Sequence, residues 1–390
     1  MKLTITLFLT LTLASVELVA QKDSLSKYSK YETLDEMTPQ MILIEGADIN
    51  IKDKNELPVT AKIYSFSIAM YEETNKQYRA YLDFLLQCKQ NREYLKALPD
   101  TALWLNENFP KDDRAYLVQN YFRNEQFDDY PVVGLSPKQI EVYSKWKTDR
   151  MAELTLIREG ILDYATYDST FVETGFTLDN YLDGIRTKQY IDFIPSLDPN
   201  GGERLIRSED GIYPFPFRLP TLYEWELAAL AIGDENYTYR IGPKSLKQKK
   251  FDPKNKFGFL FVNKKEINFT EFQKKLLLKG IAPVYCGTPN NYAVYHLNDN
   301  VSEITKIDSS TYLSIGNSWK DTSATYDAKY SPSIGSTTKY LIRKDFKIQT
   351  IDAEQTSVSG FRLVVTIISR GDYYYGKKKK IKRKKGNKLQ

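Results

Sequence analysis

Apolar residues recur along this chain with two different spacings. Met41–Ile44 (MILI) is a short β-type run, closed by a turn glycine at Gly46. From Thr74 the period lengthens. Tyr78, Tyr81, Leu82 and Leu85 recur three and four residues apart, which predicts an amphipathic helix with Thr74 as its N-cap. A second helix is predicted to open at Ser136-Pro137, where a capping residue precedes a proline at the first helical position, and to bury Ile140, Tyr143 and Trp146. A third is marked by Thr221 and Glu224, a capping box leading into Trp225, Ala228 and Ala229. After it the chain breaks into short apolar and aromatic pieces separated by Gly, Pro, Asn and Asp. That texture predicts a loop-rich α+β domain, because a doubly wound sheet or a barrel would alternate strand and helix regularly. Residues 151–212 read as an insertion of mixed polarity, Lys247–Lys275 as a lysine-rich surface stretch, and no repeat of solenoid period is present.

The two ends follow neither pattern. Residues 1–20 combine a basic start, an apolar run from Leu3 to Ala14 and a small residue at Ala20, the parts of a secretory signal peptide, and the run is too short to span a bilayer. Residues 21–40 form a polar leader. Leu13-Ala14-Ser15 would suit a lipoprotein cleavage site, but Val16 stands where the lipid-accepting cysteine is needed. The expectation is therefore an exported protein of the periplasm or outer-membrane periphery without a lipid anchor. Residues 367–390 hold three consecutive tyrosines, Tyr373 to Tyr375, and a Lys/Arg-rich tail.

That tail changes the meaning of the net charge. Nine of the 55 basic residues lie in the last fourteen positions, so the formal +5 leaves −4 for everything before Lys377. A nucleic-acid reading would rest on the tail alone, and no basic face with interleaved aromatics supports one. Among 390 residues there are only two cysteines, Cys88 and Cys286, and one histidine, His296. This scarcity excludes zinc ribbons, disulfide scaffolds, iron–sulfur sites and multi-histidine metal cages. The two cysteines could pair in an oxidising compartment or stay separate structural thiols. Asn-x-Ser/Thr sequons occur at Asn236, Asn268 and Asn300 and matter only in a eukaryotic source.

Several segments, in order, carry a family resemblance: Tyr71–Tyr78 (YEETNKQY), Tyr130–Ser136 (YPVVGLS), Phe217–Glu226 (FRLPTLYEWE), Tyr295–Glu303 (YHLNDNVSE), Gly316–Trp319 (GNSW) and Gly360–Arg362 (GFR). Together they resemble the formylglycine-generating enzymes, the sulfatase-modifying-factor domain family, over residues 41–366. Leu98–Trp104, Asn120–Phe122, Asp128–Gly134 and Trp146–Arg150 resemble its gliding-motility and type IX secretion branch in Bacteroidetes, whose members are outer-membrane-associated structural lipoproteins. The resemblance implies a loop-rich variant of the C-type-lectin-like fold. Within it Thr221 and Glu224 cap a helix, Trp225 is core, and Arg218 and Arg362 are expected to be charge-paired in a polar network.

The chemistry that the resemblance implies is depleted in this chain. The family's enzymes bind copper through a cysteine pair near the C-terminus, since soft thiolates select Cu(I). Counting from Ser318, those positions hold Asp321 and Tyr326, and 317–360 contains no cysteine. Relatives that bind iron use several histidines. His296 stands alone where relatives carry an acidic or polar residue, so a packed or surface imidazole is expected. It lies in no nucleophile elbow, and Glu224 and Glu226, two apart on a helix, do not share a face. A calcium site is the chemistry that the resemblance leaves, with Asn300 giving its side-chain oxygen, Val301 its main-chain carbonyl and Glu303 its carboxylate. The alternative, with Asn300 capping a turn and Glu303 solvated, stands beside it because Ile304 replaces the family's tryptophan.

The function implied is a non-catalytic scaffold component of a bacterial envelope secretion or gliding-motility machinery. The expected partners are envelope proteins, with lipopolysaccharide or anionic lipid reached through the tail. The other classes are a metal-dependent oxidase or hydroxylase and a calcium-dependent glycan-binding module.

Overall fold

The computed structural model describes residues 40–52, 58–158, 176–183, 216–230, 269–287, 289–290, 292–297, 299–320 and 347–366, with the paired segments 194–195, 203–204, 261–262, 265–266 and 339–340. The stretches read as a signal peptide and a basic tail, the leader up to residue 39, and positions 321 and 326 lie outside these residues. In chain order, strands β1 (Met41–Ile44), β2 (Ala47–Lys52), β3 (Pro58–Ile63) and β4 (Phe66–Ala69) precede helices α1 (Asn75–Gln87), α2 (Asn91–Ala97), α3 (Lys111–Asn120), α4 (Pro137–Arg158) and α5 (Leu178–Leu182). Then come β5 (Ile194–Pro195), β6 (Glu203–Arg204), β7 (Phe217–Arg218), α6 (Leu222–Leu230), β8 (Phe261–Val262), β9 (Lys265–Glu266) and α7 (Glu271–Lys279). The chain closes with β10 (Glu303–Lys306), β11 (Tyr312–Ile315), β12 (Lys339–Tyr340), β13 (Ile348–Ile351) and β14 (Val364–Thr366).

The three predicted helices form, and each is anchored by a reciprocal cap. Thr74 and Gln77 exchange bonds of 2.9 and 3.2 Å at the start of α1, Ser136 and Gln139 bonds of 2.8 and 3.3 Å at α4, and Thr221 and Glu224 bonds of 2.8 and 3.2 Å at α6. One reading changes. Helix α4 runs through Arg158 with Met151, Ala152, Leu154 and Leu156 buried, so the segment read as an insertion opens inside the core. The lysine-rich stretch ends in α7, capped by Thr270 and Gln273, with Lys274 and Lys275 exposed as expected and the buried Leu276 and Leu277 just beyond it. Gly46 serves through close approach, not turn geometry: a Cβ there would lie 2.5 Å from the Ile63 carbonyl oxygen.

Strands from both ends of the described chain share one four-stranded sheet, ordered β1-β4-β14-β7, with every pairing antiparallel. A second sheet, β10-β11-β13, is also antiparallel, and the one parallel pairing of strands among the described residues is β12 with β2. This is α+β organisation. The core is unusually aromatic. Tyr78 and Tyr81 of α1 meet Tyr143 and Trp146 of α4 with ring centroids 5.1–5.7 Å apart, Trp225 lies among Ile44, Phe66, Ile315 and Val364, and Trp104 stacks on Trp319 at 5.5 Å. Gly360 joins the two sheets: it accepts from the Ile304 N–H at 2.9 Å and donates to the Ser302 carbonyl at 2.8 Å. No helix among the described residues is long and apolar enough to cross a membrane.

Candidate functional site

Where β4 ends, where β10 begins and where the chain approaches β14, three stretches converge: Ala69–Thr74, Tyr295–Glu303 and Gly360–Arg362. Arg362 stands at their centre and is fully buried. Its Nε donates to Glu303 Oε1 at 3.0 Å and Oε2 at 2.7 Å. Nη1 donates to the carbonyls of Ala69 (3.1 Å) and Met70 (3.2 Å), and Nη2 to the Tyr295 carbonyl (2.7 Å) and Glu303 Oε1 (2.5 Å). Trp225 completes the cage by donating its indole N–H to Glu303 Oε2 at 2.8 Å. One side chain thus ties together strand, loop and helix.

Asn300 and His296 hold the loop's other wall, both with left-handed backbone (φ +62° and +53°), as does Ala293 (φ +65°). Asn tolerates that region; an alanine there marks a chain held by its surroundings. The Asn300 amide pairs with the peptide of Ala282, accepting its N–H at 3.0 Å and donating to its carbonyl at 3.2 Å, and also donates to Glu72 Oε1 at 3.2 Å. His296 is packed, not exposed: its Nδ1 lies 2.7 Å from Asp299 Oδ1, while its Nε2 and Glu72 Oε2 are buried without hydrogen-bond partners. Burial pushes the Glu72 carboxyl above its ordinary range, against the pull of His296 and Arg362. For His296 burial works against the charged form, but Asp299 and then Glu72 prevail and raise it. A second buried ion pair adjoins this centre, with Lys147 Nζ 2.5 Å from Glu73 Oε1 and the Tyr143 hydroxyl donating to Glu73 Oε2 at 2.8 Å.

The sulfatase-modifying factor enzyme 1-like domain matches residues 27–367. The chain belongs to this family. No curated protein matches it. Among solved structures it is similar to Treponema denticola variable protein 1, at 14% identity over 84% of this chain and 95% of that one with a TM-score of 0.35. It is also similar to a protein named CarF, at 15% identity over 85% of this chain and 99% of that one with a TM-score of 0.33.

Within the sulfatase-modifying factor domain, the shared residues keep the fold. Thr221 and Glu224 cap α6, Trp225 is fully buried, and Arg218 forms a two-pronged pair with Glu224 at 2.7 and 2.8 Å, supported by Thr366. The residues fit the family's copper poorly. The 317–360 segment has no thiol, and Cys88 and Cys286 are both buried and unpaired, Cys88 at the C-terminus of α1 and Cys286 against Leu277 and Ala282. Among the described residues no group of three or more His, Cys, Asp or Glu side chains is placed to hold a metal ion. For the calcium triad, Val301 packs its buried side chain on Gly360, the Asn300 oxygen accepts the Ala282 N–H, and each Glu303 oxygen accepts two N–H groups. The alternative of a solvated Glu303 is corrected: its carboxylate is fully buried, because Arg362 supplies the charge that burial requires. Glu224 and Glu226 do diverge, with Glu224 turned to Arg218.

Glu72, Glu73 and Lys147 escaped the sequence reading. Lys147 carried a signal, since it continues the buried stripe Ile140–Tyr143 at the next helical repeat. Glu72 and Glu73 lay inside the family-like segment Tyr71–Tyr78, but nothing there pointed to burial, because acidic residues ahead of a helix are ordinary.

Proposed function

We propose that this member of the sulfatase-modifying factor family is an exported, non-catalytic scaffold component of a bacterial envelope machinery, of the gliding-motility and type IX secretion branch. One observation carries the reading. The positions that hold the copper-binding cysteines in the family's enzymes are Asp321 and Tyr326 here, while the charge network that keeps the fold is intact around Arg362 and Arg218. A chain that keeps the scaffold and lacks the soft ligands is suited to assembly, not to oxygen activation. The shared sheet of strands from both ends of the described chain supports a C-type-lectin-like variant of the fold. The basic tail is assigned to acidic envelope surfaces, lipopolysaccharide or anionic lipid, as an electrostatic tether.

The test is affinity capture of the full chain from envelopes of the source bacterium, with a deletion strain alongside. Recovery of envelope secretion components and impaired secretion or gliding are expected. Normal secretion and motility together with no recovered component would overturn the reading, as would stoichiometric copper or iron with oxygen consumption in the purified protein.

A further inference from the structure

The donors and acceptors around Arg362 form a set that ordinarily surrounds a metal. Its five N–H groups reach five oxygens: the two of Glu303 and the main-chain carbonyls of Ala69, Met70 and Tyr295. Carboxylate and peptide carbonyl oxygens gathered from distant parts of a chain are what a hard divalent cation collects. Here a planar guanidinium collects them, and its fork of fixed donors suits the task as no flexible ammonium could.

We infer that Arg362 is the resident cation of this centre, and that the fold around Asn300, Val301 and Glu303 is held without a bound divalent ion. The geometry carries this in three steps. A carboxylate offers about four acceptor positions, and both Glu303 oxygens are engaged in two contacts each, from three N–H groups: Arg362 Nε shared between them, Arg362 Nη2 and Trp225. The Asn300 oxygen is oriented by a two-point pairing with the Ala282 peptide, so turning it to a metal would break both bonds. A divalent ion beside Glu303 would also be pressed against the guanidinium, charge against charge, in a site from which water is excluded. The histidine adds to the same economy: His296, clamped on Asp299 at 2.7 Å and facing Glu72, presents a second potential positive charge to this loop from within the chain. The loop thereby exchanges a diffusible cation for covalently attached ones, and its integrity becomes independent of the metal content of its surroundings.

The experiment uses the full mature chain and needs no variant for its first arm. Thermal unfolding is followed after exhaustive dialysis against EDTA and again in millimolar calcium; the midpoint is expected to be the same in both. A midpoint that rises with calcium and falls with chelation would overturn the inference when the second arm places the ion at Glu303. In the second arm terbium is titrated with excitation of tryptophan, since Trp225 touches Glu303 and would sensitise any ion bound there. No saturable emission is expected, and emission that also appears in Glu303→Gln would place the ion elsewhere and leave the inference standing. Saturable emission that calcium displaces and Glu303→Gln abolishes would overturn it. If Glu303→Gln does not fold, displacement by calcium in the unmodified chain, with the matching shift in midpoint, decides the same question.

Discussion

Replacing Lys147 by methionine isolates the energetics of the buried charges. The side chains of Lys147 and Glu73 are 0% and 2% exposed, so solvent screening gives no relief once the pair is broken. Lys147→Met fills the same volume and leaves the Glu73 carboxylate with the Tyr143 hydroxyl at 2.8 Å as its remaining side-chain donor. Removing one partner of a buried pair costs roughly 3–5 kcal/mol, whereas replacing both by neutral groups is often close to neutral. Against a total stability of about 5–15 kcal/mol, that is a large share. Urea unfolding followed by tryptophan fluorescence should place the midpoint about 1–5 M lower, at slopes of roughly 1–3 kcal/mol per molar. The double variant Lys147→Met/Glu73→Gln, which keeps an acceptor for Tyr143, should recover a good part of the loss. A single variant that loses less than about 1 kcal/mol, or a double variant as unstable as the single, would refute the argument that the desolvated charge is what costs.

Three further outcomes follow from other parts of the structure. Gly360→Ala would bring a Cβ to 2.6 Å from Val301 Cγ2; a loss of about 1–3 kcal/mol is expected, and adding Val301→Ala should cost less than the sum of the single changes when denaturation curves are compared. Burial opposes ionisation of Glu224, but Arg218 prevails and holds its carboxyl below the ordinary range; its contribution is therefore present above the unfolded value of about 4.3 and lost as pH falls through the lowered folded one. Glu224→Gln should accordingly destabilise by roughly 1–2 kcal/mol at neutral pH and flatten the acid limb of a stability-versus-pH curve, and an unchanged limb would contradict the pairing. Denaturation without reductant should expose two titratable thiols per chain, from Cys88 and Cys286; recovery of none would mean that they pair.

The local structure of this protein is written in its sequence, because helix caps and amphipathic stripes depend on neighbours only a few residues apart. Thr74, Ser136 and Thr221 announced their helices, and Tyr78, Tyr143 and Trp225 their buried faces. The scarcity of cysteine and histidine is a property of composition and is likewise read directly from the sequence. The extent of α4 was harder to read: 151–212 reads as an insertion of mixed polarity, yet the helix runs on to Arg158, because Glu153 is buried and paired with Arg150 at 3.0 Å. The centre at Arg362 could be read only in outline. Sequence likeness named Glu303, Asn300 and Arg362, but Arg362 and Glu303 lie 59 residues apart, and the carbonyls of Ala69 and Met70 more than 290 residues from Arg362. Main-chain carbonyls have no residue identity to read, and whether Glu303 faces a guanidinium, a metal or water depends on how β4, β10 and β14 meet. That is settled by tertiary packing, because a buried carboxylate must be neutralised by whichever cation the fold delivers to it.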